Sequence, residues 1–402
     1  MNPPARAAAG GTPAGLATRM RRQFAVSDQR PTRAAIVAAV RQETDVAALG
    51  DAAILRVAED VHNDLVGVGP LAPLLADQDV TDVLVNGVQV WADRGRGLEQ
   101  VDTPFAHPDE VRRLAQRLAA SYGRRLDEGC PYVDARLSDG ARMHAVLPPV
   151  AVGGPYLSLR TFRRRPMTLS QLVGVGSVSQ AGAQLLAAIV AARLAFLVVG
   201  GTGAGKTTVL NTLLGLVPPT ERLVIVEDAA ELRPEHPHVV ALQARTPNVE
   251  GAGTVSLRDL VRQALRMRPD RLVIGECRGA EVVDLLGALN TGHDGGAGTL
   301  HANTPADVPA RLEALGLLGG LPRGALHAQL AAALHVVIQV RRVRAGRQVR
   351  SVWTLAPDPM SRTVVASPAW EADGGAGPAA GQLADLLAAR DVAPPAALRN
   401  VR

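Results

Sequence analysis

The sequence is poor in cysteine and in aromatic residues, and each shortage excludes a class of protein. Its two cysteines, Cys130 and Cys277, lie far apart, so neither a disulfide framework nor a paired-cysteine zinc site is expected, and a reducing compartment is indicated. Aromatic residues make up 2% of the chain, which leaves few rings to stack on bases, so nucleic acid is not expected as a partner. The net charge of +5 is modest for 402 residues and agrees with an acidic partner or a membrane surface.

A long apolar run is also missing. The most apolar region, residues 185–199, is interrupted by Arg193 and is shorter than the roughly 20 residues that cross a bilayer. The N-terminal residues include arginines but no apolar segment of the kind found in signal peptides. We therefore expect a cytoplasmic protein that meets the inner face of the cell membrane only peripherally.

Lysine occurs once, at Lys206, against 42 arginines. It lies in a stretch that fits the phosphate-binding loop G-x-x-x-x-G-K-[ST], between an apolar strand pattern and a helical pattern. Backbone N–H groups of such a loop surround an anion at a helix N-terminus, and a compact ammonium fits between the β- and γ-phosphates where the planar fork of arginine would not. The sequence therefore predicts a nucleoside triphosphate site, with the Thr207 hydroxyl on Mg²⁺. Its predicted nucleotide-binding residues are Gly200, Gly201, Thr202, Gly203, Ala204, Gly205, Lys206, Thr207 and Thr208.

The order of strand and helix patterns predicts an α/β protein with two folded domains. After the phosphate loop, short β-branched strands alternate with helices, as in a RecA-like domain with a mostly parallel sheet; residues 335–355 read as an antiparallel pair. The segment before it mixes short strands with one helix and is predicted to be a smaller α+β domain. The predicted divisions are a disordered arm (1–30), a helical segment (31–66), an α+β domain (67–165), a RecA-like ATPase domain (166–357) and a low-complexity tail with a short helix (358–402).

Acidic residues end two of the predicted parallel strands. RLVIGE ends at Gly275 and Glu276, without an aspartate before the glutamate, and RLVIVED ends at Glu227, with Glu231 one turn later. Both strand ends should lie near the phosphate loop in a doubly wound sheet. Glu276 is expected to orient the attacking water and to share the magnesium shell, and Glu227 to assist in catalysis.

Two histidines flank a glycine turn in NTGHDGGAGTLHANT. His301, at the end of a strand of the same sheet, is expected to sense the γ-phosphate, while His293 lies eight residues earlier. No third ligand accompanies them, so a histidine metal site is not expected.

Four stretches together resemble the type II/IV secretion ATPases, and among these most closely the tight-adherence (Tad/Flp) pilus-assembly ATPases. They are GGTGAGKTT, EDAAEL, RTPNVEGAGTVSLRDLVRQALRMRPDRLVIGECRGAEVVDLL and NTGHDGGAGTLHANTPADVPARLEAL, and the likeness runs from about Leu65 to Leu355. The resemblance implies a ring-shaped homo-hexamer that hydrolyses ATP with Mg²⁺ and works with inner-membrane platform proteins of a pilus or secretion system. It matches the acidic box to Glu227–Glu231, the glutamate of the atypical second motif to Glu276 and the histidine box to His293–His301.

The stretch VDARLSDGARMHAVL, residues 133–147, predicts a hairpin whose register follows from its pattern. A two-residue loop would mix polar and apolar residues on both faces, whereas a three-residue loop closed by Gly140 in the left-handed region separates them. That register places Arg136 opposite Arg142, which is destabilising unless an anion lies between them. Because the resembling family brings arginines of its N-terminal domain onto bound nucleotide, both are predicted to reach ATP phosphates, in the same or a neighbouring subunit.

Two alternatives remain open at the level of the sequence. A conjugation-type ATPase of the same superfamily would move nucleic acid or protein, and DNA-stimulated hydrolysis with a steep salt dependence would indicate it. The other alternative is a phosphate-loop scaffold without catalytic activity. The presence of Lys206, Thr207 and Glu276 argues against it. The pattern favours an ATP-hydrolysing motor for the assembly of a Tad/Flp-type pilus or related secretion machinery.

Overall fold

The computed structural model divides the chain into two compact units, residues 1–164 and 165–402. Each unit is considered by itself. The division falls within one residue of the predicted boundary between the two folded domains. The structure describes residues 19–20, 23–24, 32–42, 50–77, 79–95, 97–137, 140–161, 166–245, 252–343, 346–361 and 363–399.

The first unit begins with a small helical cluster. Its two main helices are α1 (Arg33–Gln42) and α2 (Asp51–Leu65), whose apolar faces meet around the buried Ile36. Most of the predicted disordered arm lies outside the described residues, but positions 19–20 and 23–24 are helical. The structure departs from the predicted disorder at these positions. Met20 and Phe24 lie one helical turn apart and form an apolar face that packs on the same cluster.

A six-stranded antiparallel sheet forms the rest of the first unit, in the order β3-β2-β1-β6-β5-β4. One face packs on α4 and is buried, and the other carries the polar residues of each alternating strand. The strands and remaining helices are β1 (Asp82–Asn86), β2 (Gln89–Asp93), β3 (Leu98–Val101), β4 (Tyr132–Arg136), β5 (Arg142–Val146), β6 (Tyr156–Arg160), α3 (Ala72–Ala76) and α4 (Pro108–Ser121).

The predicted hairpin register is confirmed in β4 and β5. Arg136 lies opposite Arg142, and the Leu137 N–H donates to the Ala141 oxygen at 2.8 Å. Gly140 has φ +92°, the left-handed conformation that the three-residue loop requires. The other two loop positions, 138 and 139, lie outside the described residues. As predicted, the buried residues are the alternate ones, Val133, Ala135, Leu137, Ala141, Met143 and Ala145.

The second unit is built on a nine-stranded sheet in the order β15-β14-β13-β12-β7-β11-β10-β8-β9. Strands from β12 to β9 run parallel, and β12 to β15 pair antiparallel, which matches the predicted mostly parallel sheet with an added antiparallel pair. The strands are β7 (Phe196–Val199), β8 (Leu223–Glu227), β9 (Val239–Gln243), β10 (Arg271–Cys277), β11 (Ala297–Leu300), β12 (Val336–Val343), β13 (Gly346–Pro357), β14 (Val364–Glu371) and β15 (Gly375–Ala376).

Helices cover both faces of this sheet. On one face α6, α7 and α12 share a core, and on the other α8 to α11 do so. Central strands such as β7 and β8 are buried at every position because both faces are covered. The helices are α5 (Leu169–Gly174), α6 (Gln180–Ala191), α7 (Lys206–Leu214), α8 (Leu257–Ala264), α9 (Glu281–Leu289), α10 (Val308–Leu318), α11 (Arg323–Ala333) and α12 (Ala380–Ala388).

The segment after residue 357 differs from the predicted low-complexity tail. β14 pairs along β13 and extends the sheet, and the predicted short helix is α12, which lies in the core through Leu383. Trp370 anchors this segment, since its ring lies so close to Gly182 of α6 that a Cβ there would be 2.6 Å from it. Residues 363–399 are therefore part of the second unit. Across the described residues, no helix has the length and apolar composition to cross a membrane.

Candidate nucleotide site

The phosphate loop leaves the buried strand β7 and ends where α7 begins at Lys206. Gly203 and Gly205 have φ values of +69° and +99°, which L side chains rarely adopt. Gly200 must be glycine for a different reason, because a Cβ there would collide with the carbonyl oxygen of Val340 on β12. The predicted loop residues thus form one strand–loop–helix element, with Thr207 and Thr208 half-buried in the first turn of α7.

Lys206 is buried, and its ammonium is held by the loop itself. Nζ donates to the carbonyl oxygens of Gly200 and Gly201, each at 3.0 Å. Burial lowers the pKa of this lysine, and the nearby carboxylate of Glu276 opposes that effect. The ammonium is therefore a poorly hydrated cation at the mouth of the loop, which phosphate oxygens would satisfy better than carbonyls do.

His301 and Glu276 lie next to this ammonium. The ring nitrogens of His301 are 3.3 and 3.5 Å from Lys206 Nζ, and its Nε2 is 2.9 Å from Glu276 Oε1. Burial first, and Lys206 second, lower the pKa of the histidine, so the ring is neutral at neutral pH. Strand ends β10 and β11 bring these residues to the same edge of the sheet as the phosphate loop, as predicted for parallel strands.

One oxygen of Glu276, Oε1, has no well-oriented hydrogen-bond donor among the described residues. Arg278 donates to Oε2 at 2.6 Å, which fixes the carboxylate. Oε1 is buried and, although close to the His301 ring, has no hydrogen bond of acceptable geometry within the described residues. A buried acceptor without a donor is costly, and a water molecule or a hydrated cation between Glu276 and the loop would satisfy it. The residues therefore fit Mg²⁺ and a positioned water.

Glu227 lies at the end of β8, as predicted, but its carboxylate is turned into the backbone. It is buried and accepts from the N–H groups of Glu231 and Leu232 at 3.1–3.2 Å. It also crosses the neighbouring strand β10 at Gly275, where a Cβ would lie 2.5 Å from Glu227 Cγ. Gly275, the residue before Glu276, thus leaves space for the Glu227 side chain. The position of the Glu227 carboxylate indicates that it supports the site by ordering the backbone at Glu231 and Leu232.

Glu231 and Asp228 are the members of the acidic box whose charges act on the cations of the site. The Glu231 carboxylate weakly opposes the lowering of the Lys206 pKa by burial, and it adds to the raising of the Arg278 pKa, which is due first to Glu276. The turn that places Glu231 there is held by Glu227. The spacing of the box identified Glu227 and Glu231 from the sequence but did not show that the Glu227 carboxylate is turned into the backbone.

His293 lies apart from these contacts. Its Nδ1 is 3.1 Å from the Ala288 oxygen near the end of α9, and within the described residues its side chain makes no hydrogen bond or ion pair with Lys206, Glu276 or His301. The structure thus joins one histidine of the box to the site and gives the other a role at a helix end. Across the described residues, no cluster of histidine, cysteine and acidic residues forms a metal site.

In the first unit, Arg136 and Arg142 belong to a row of three arginines. Arg160 on β6 lies directly opposite Arg142, so the row crosses β4, β5 and β6 on the polar face of the sheet. Arg142 Nε is 3.4 Å from Asp134 Oδ1, and Arg160 Nε is 3.0 Å from Asp82 Oδ1. Sequence reasoning missed Arg160 because only the pairing of β5 with β6 reveals it. That the arginines reach nucleotide stays a prediction.

Several known proteins are similar to this chain. A family model described as type II/IV secretion system protein matches residues 64–374. A putative conjugal transfer protein of Mycobacterium tuberculosis is 55% identical over 349 residues, covering 85% of this chain and 99% of its own. The type IV secretion system protein PtlH of Bordetella pertussis is 35% identical over 318 residues, covering 70% of this chain and 92% of its own.

Among solved structures, the pilus retraction motor PilT with bound ADP is similar in fold. It matches with a TM-score of 0.51 and 22% sequence identity, over 73% of this chain and 83% of its own. The family model covers most of the chain, including the phosphate loop, the acidic box, Glu276 and the histidine box. The chain belongs to the type II/IV secretion system protein family.

Proposed function

We propose that the protein is a Mg²⁺-dependent ATPase that works as a homo-hexameric motor at the cytoplasmic face of the membrane. The observation that carries this proposal is the contact series Lys206–His301–Glu276–Arg278 at the mouth of the phosphate loop. It combines a cation for phosphates, a neutral histidine and a carboxylate with one buried, unsatisfied oxygen. A phosphate-loop scaffold without catalysis would have no use for that last feature.

Each residue then has a defined task in hydrolysis. The Lys206 ammonium leaves the carbonyls of Gly200 and Gly201 and binds the β- and γ-phosphates. Glu276 Oε1 accepts a hydrogen bond from the attacking water and places it in line with the γ-phosphate. His301, between the two, is in place to contact the γ-phosphate and to report its loss after cleavage.

The site residues also indicate where a magnesium ion would bind. The Thr207 hydroxyl is the predicted direct ligand, and Glu276 would hold a water of its shell; when bound, Mg²⁺ supplies charge neutralisation on the phosphate oxygens. Arg278 keeps the Glu276 carboxylate oriented through the 2.6 Å contact. Glu227 supports the site by accepting backbone hydrogen bonds that order the turn carrying Glu231.

The machinery that this motor drives is proposed from the family that its sequence motifs resemble. The four quoted sequence stretches resemble those of Tad/Flp pilus-assembly ATPases, and this resemblance supports assembly of such a pilus or a related secretion machine, with inner-membrane platform proteins as partners. A conjugation-type ATPase that moves nucleic acid or protein is the second candidate, since the relative that is 55% identical is called a putative conjugal transfer protein. ATP turnover stimulated by DNA, falling steeply with salt, would favour the second.

The test of the first step is the substitution Glu276→Gln. We expect it to abolish steady-state ATP hydrolysis while ATP still binds, because the amide retains shape but cannot accept the water proton. Glu235→Gln, an exposed glutamate of the same unit, is the matched control and should hydrolyse ATP at the wild-type rate. A Glu276→Gln protein that no longer bound ATP would assign this carboxylate to the metal or to structure instead, and wild-type protein without ATPase activity would refute the proposal.

A further inference from the structure

One more cation contacts the phosphate loop, and it comes from a distant part of the sequence. Arg347, at the start of β13, donates from Nε to the Gly203 carbonyl oxygen at 2.9 Å, across 144 positions of the chain. Its aliphatic stem lies over Gly205, where an added Cβ would be 3.1 Å from Arg347 Cδ. Both the polar and the apolar part of this side chain therefore touch the loop.

The hairpin of β12 and β13 contacts the other end of the loop as well. β12 runs parallel to β7 and pairs with it up to Val199, and its next carbonyl, that of Val340, abuts Gly200. The hairpin thus continues past the end of β7 alongside the loop. Three of the loop glycines, Gly200, Gly203 and Gly205, are in contact with it.

We infer that Arg347 is a positioning residue that holds the phosphate loop in its binding conformation before nucleotide arrives. The inference rests on the proposed nucleotide site and adds a residue to it. Gly203 and Gly205 are in left-handed conformations, and glycine loses more backbone freedom on ordering than any other residue. A donor that fixes the Gly203 carbonyl also fixes the plane of the following peptide, so less ordering is left for the ligand to drive.

The chain offers a matched control on the opposite strand. Arg342 pairs directly with Arg347 in the hairpin register and is exposed; within the described residues its side chain makes no hydrogen bond or ion pair. Replacing Arg342 removes the same charge at the same place in the hairpin without touching the loop. Any general effect of hairpin charge on ligand binding would appear in both variants.

The experiment compares wild type, Arg347→Ala, Arg347→Lys and Arg342→Ala in the full chain. Hydrogen exchange of the amides of residues 200–208 is measured without nucleotide, and dissociation constants are measured for ATP, ADP and inorganic pyrophosphate. For Arg347→Ala we expect faster exchange of the loop and about tenfold weaker binding of all three ligands, equivalent to about 1.4 kcal/mol. Arg347→Lys keeps an aliphatic stem and one donor group, so its exchange rates and dissociation constants should be intermediate. Arg342→Ala should match wild type in both measurements.

Each other outcome overturns the inference. Wild-type exchange and affinity in Arg347→Ala, or an equal loss in Arg342→Ala, would show that the contact does not order the loop. A loss confined to ATP would make Arg347 a direct contact of the γ-phosphate. If Arg347→Ala does not fold, Arg347→Lys decides by the same measurements. Wild-type protein that bound none of the ligands would refute the proposed function, while the exchange comparison would still decide whether the arginine orders the loop.

Discussion

At the scale of single residues, the burial of Lys206 explains why a chain with 42 arginines keeps a lysine here. Its ammonium fits between two loop carbonyls, each 3.0 Å away, with the His301 ring on another side. A guanidinium is wider and planar and has a fixed fork of donors. The space around Nζ therefore selects for shape as well as for charge.

Lys206→Arg should consequently abolish ATP turnover without unfolding the protein. The substitution keeps the charge, but the fork cannot enter the space occupied by Nζ and would displace the loop. Turnover and the circular dichroism spectrum measure the two parts of this expectation. Near-wild-type turnover would show that charge alone suffices at this position.

Gly275→Ala tests the packing of the Glu227 side chain against the neighbouring strand β10. The new Cβ would lie 2.5 Å from Glu227 Cγ, so the carboxylate would move away from the Glu231 and Leu232 N–H groups. We expect a loss of about 1–3 kcal/mol in the free energy of unfolding, as for other overpacked sites, together with lower turnover. Denaturant unfolding and steady-state hydrolysis measure both.

The control for that substitution is Gly287→Ala. This glycine lies inside α9 with no atom within 4 Å of an added Cβ, and alanine is the better helix former by up to about 1 kcal/mol. It should be as stable as wild type or more so, with full activity. If Gly275→Ala behaved in the same way, the proposed support of the acidic box by Glu227 would be wrong.

At the scale of elements, the arginine row of the first unit depends on strand register. Arg136, Arg142 and Arg160 align across three strands, although like charges opposite each other are unfavourable. Asp134 and Asp82 offset part of this repulsion through their contacts with Arg142 and Arg160, and an anionic ligand bound to the row would offset more of it. The register fixes which side chains share the row, and a slip of one residue would send them to the buried face.

We expect alanine at Arg136 or Arg142 to lower ATP turnover by about a thousandfold, as for arginine fingers in related chemistry. Nucleotide affinity should fall much less, because the phosphate loop still holds the ligand. Arg113→Ala, an exposed arginine on α4, is the control and should be unaffected. If the Arg136→Ala and Arg142→Ala proteins both hydrolysed ATP at the wild-type rate in assembled rings, the two arginines would be surface charges without a role in catalysis.

The sequence was most informative where a strand or helix pattern is continuous. Strands buried on both faces, such as β7 and the first four residues of β8, give uninterrupted apolar runs, and the β4–β5 register followed from alternation alone. β14 was missed because Pro368 interrupts it; a proline fits there because the ladder is irregular between Val352 and Trp353. Contacts between distant segments, such as that of Arg347 with the phosphate loop, leave no local pattern.

At the scale of the whole molecule, His335 ties the stability of the second unit to pH. It immediately precedes β12, where Nδ1 accepts from the Ala195 N–H at 3.3 Å and Nε2 lies 3.1 Å from the Arg390 guanidinium. Burial, followed by the charge of Arg390, lowers its pKa to about 4, with Asp294 opposing. Both close neighbours are donors, so a doubly protonated ring would be poorly accommodated.

Because the folded pKa lies below the unfolded value of about 6.5, the neutral ring stabilises the fold. This contribution is complete above pH 6.5 and is lost as the pH falls towards 4, by about 3 kcal/mol in total. Denaturant unfolding at pH 7, 6 and 5 should show a steeper decline for wild type than for His335→Gln. Equal slopes for the two proteins would show that this histidine is not the titrating group.

The enclosure of Lys206 has a further consequence for chemical labelling. Every other basic side chain is arginine or histidine, so an acylating reagent specific for amines finds one side-chain target in the whole protein. That amine has a lowered pKa, which favours its nucleophilic form, yet Gly200, Gly201 and His301 surround it. Acylation at this one position therefore serves as a natural footprint of the phosphate loop, fast when the loop opens and slow when it is closed, with no label introduced by mutation.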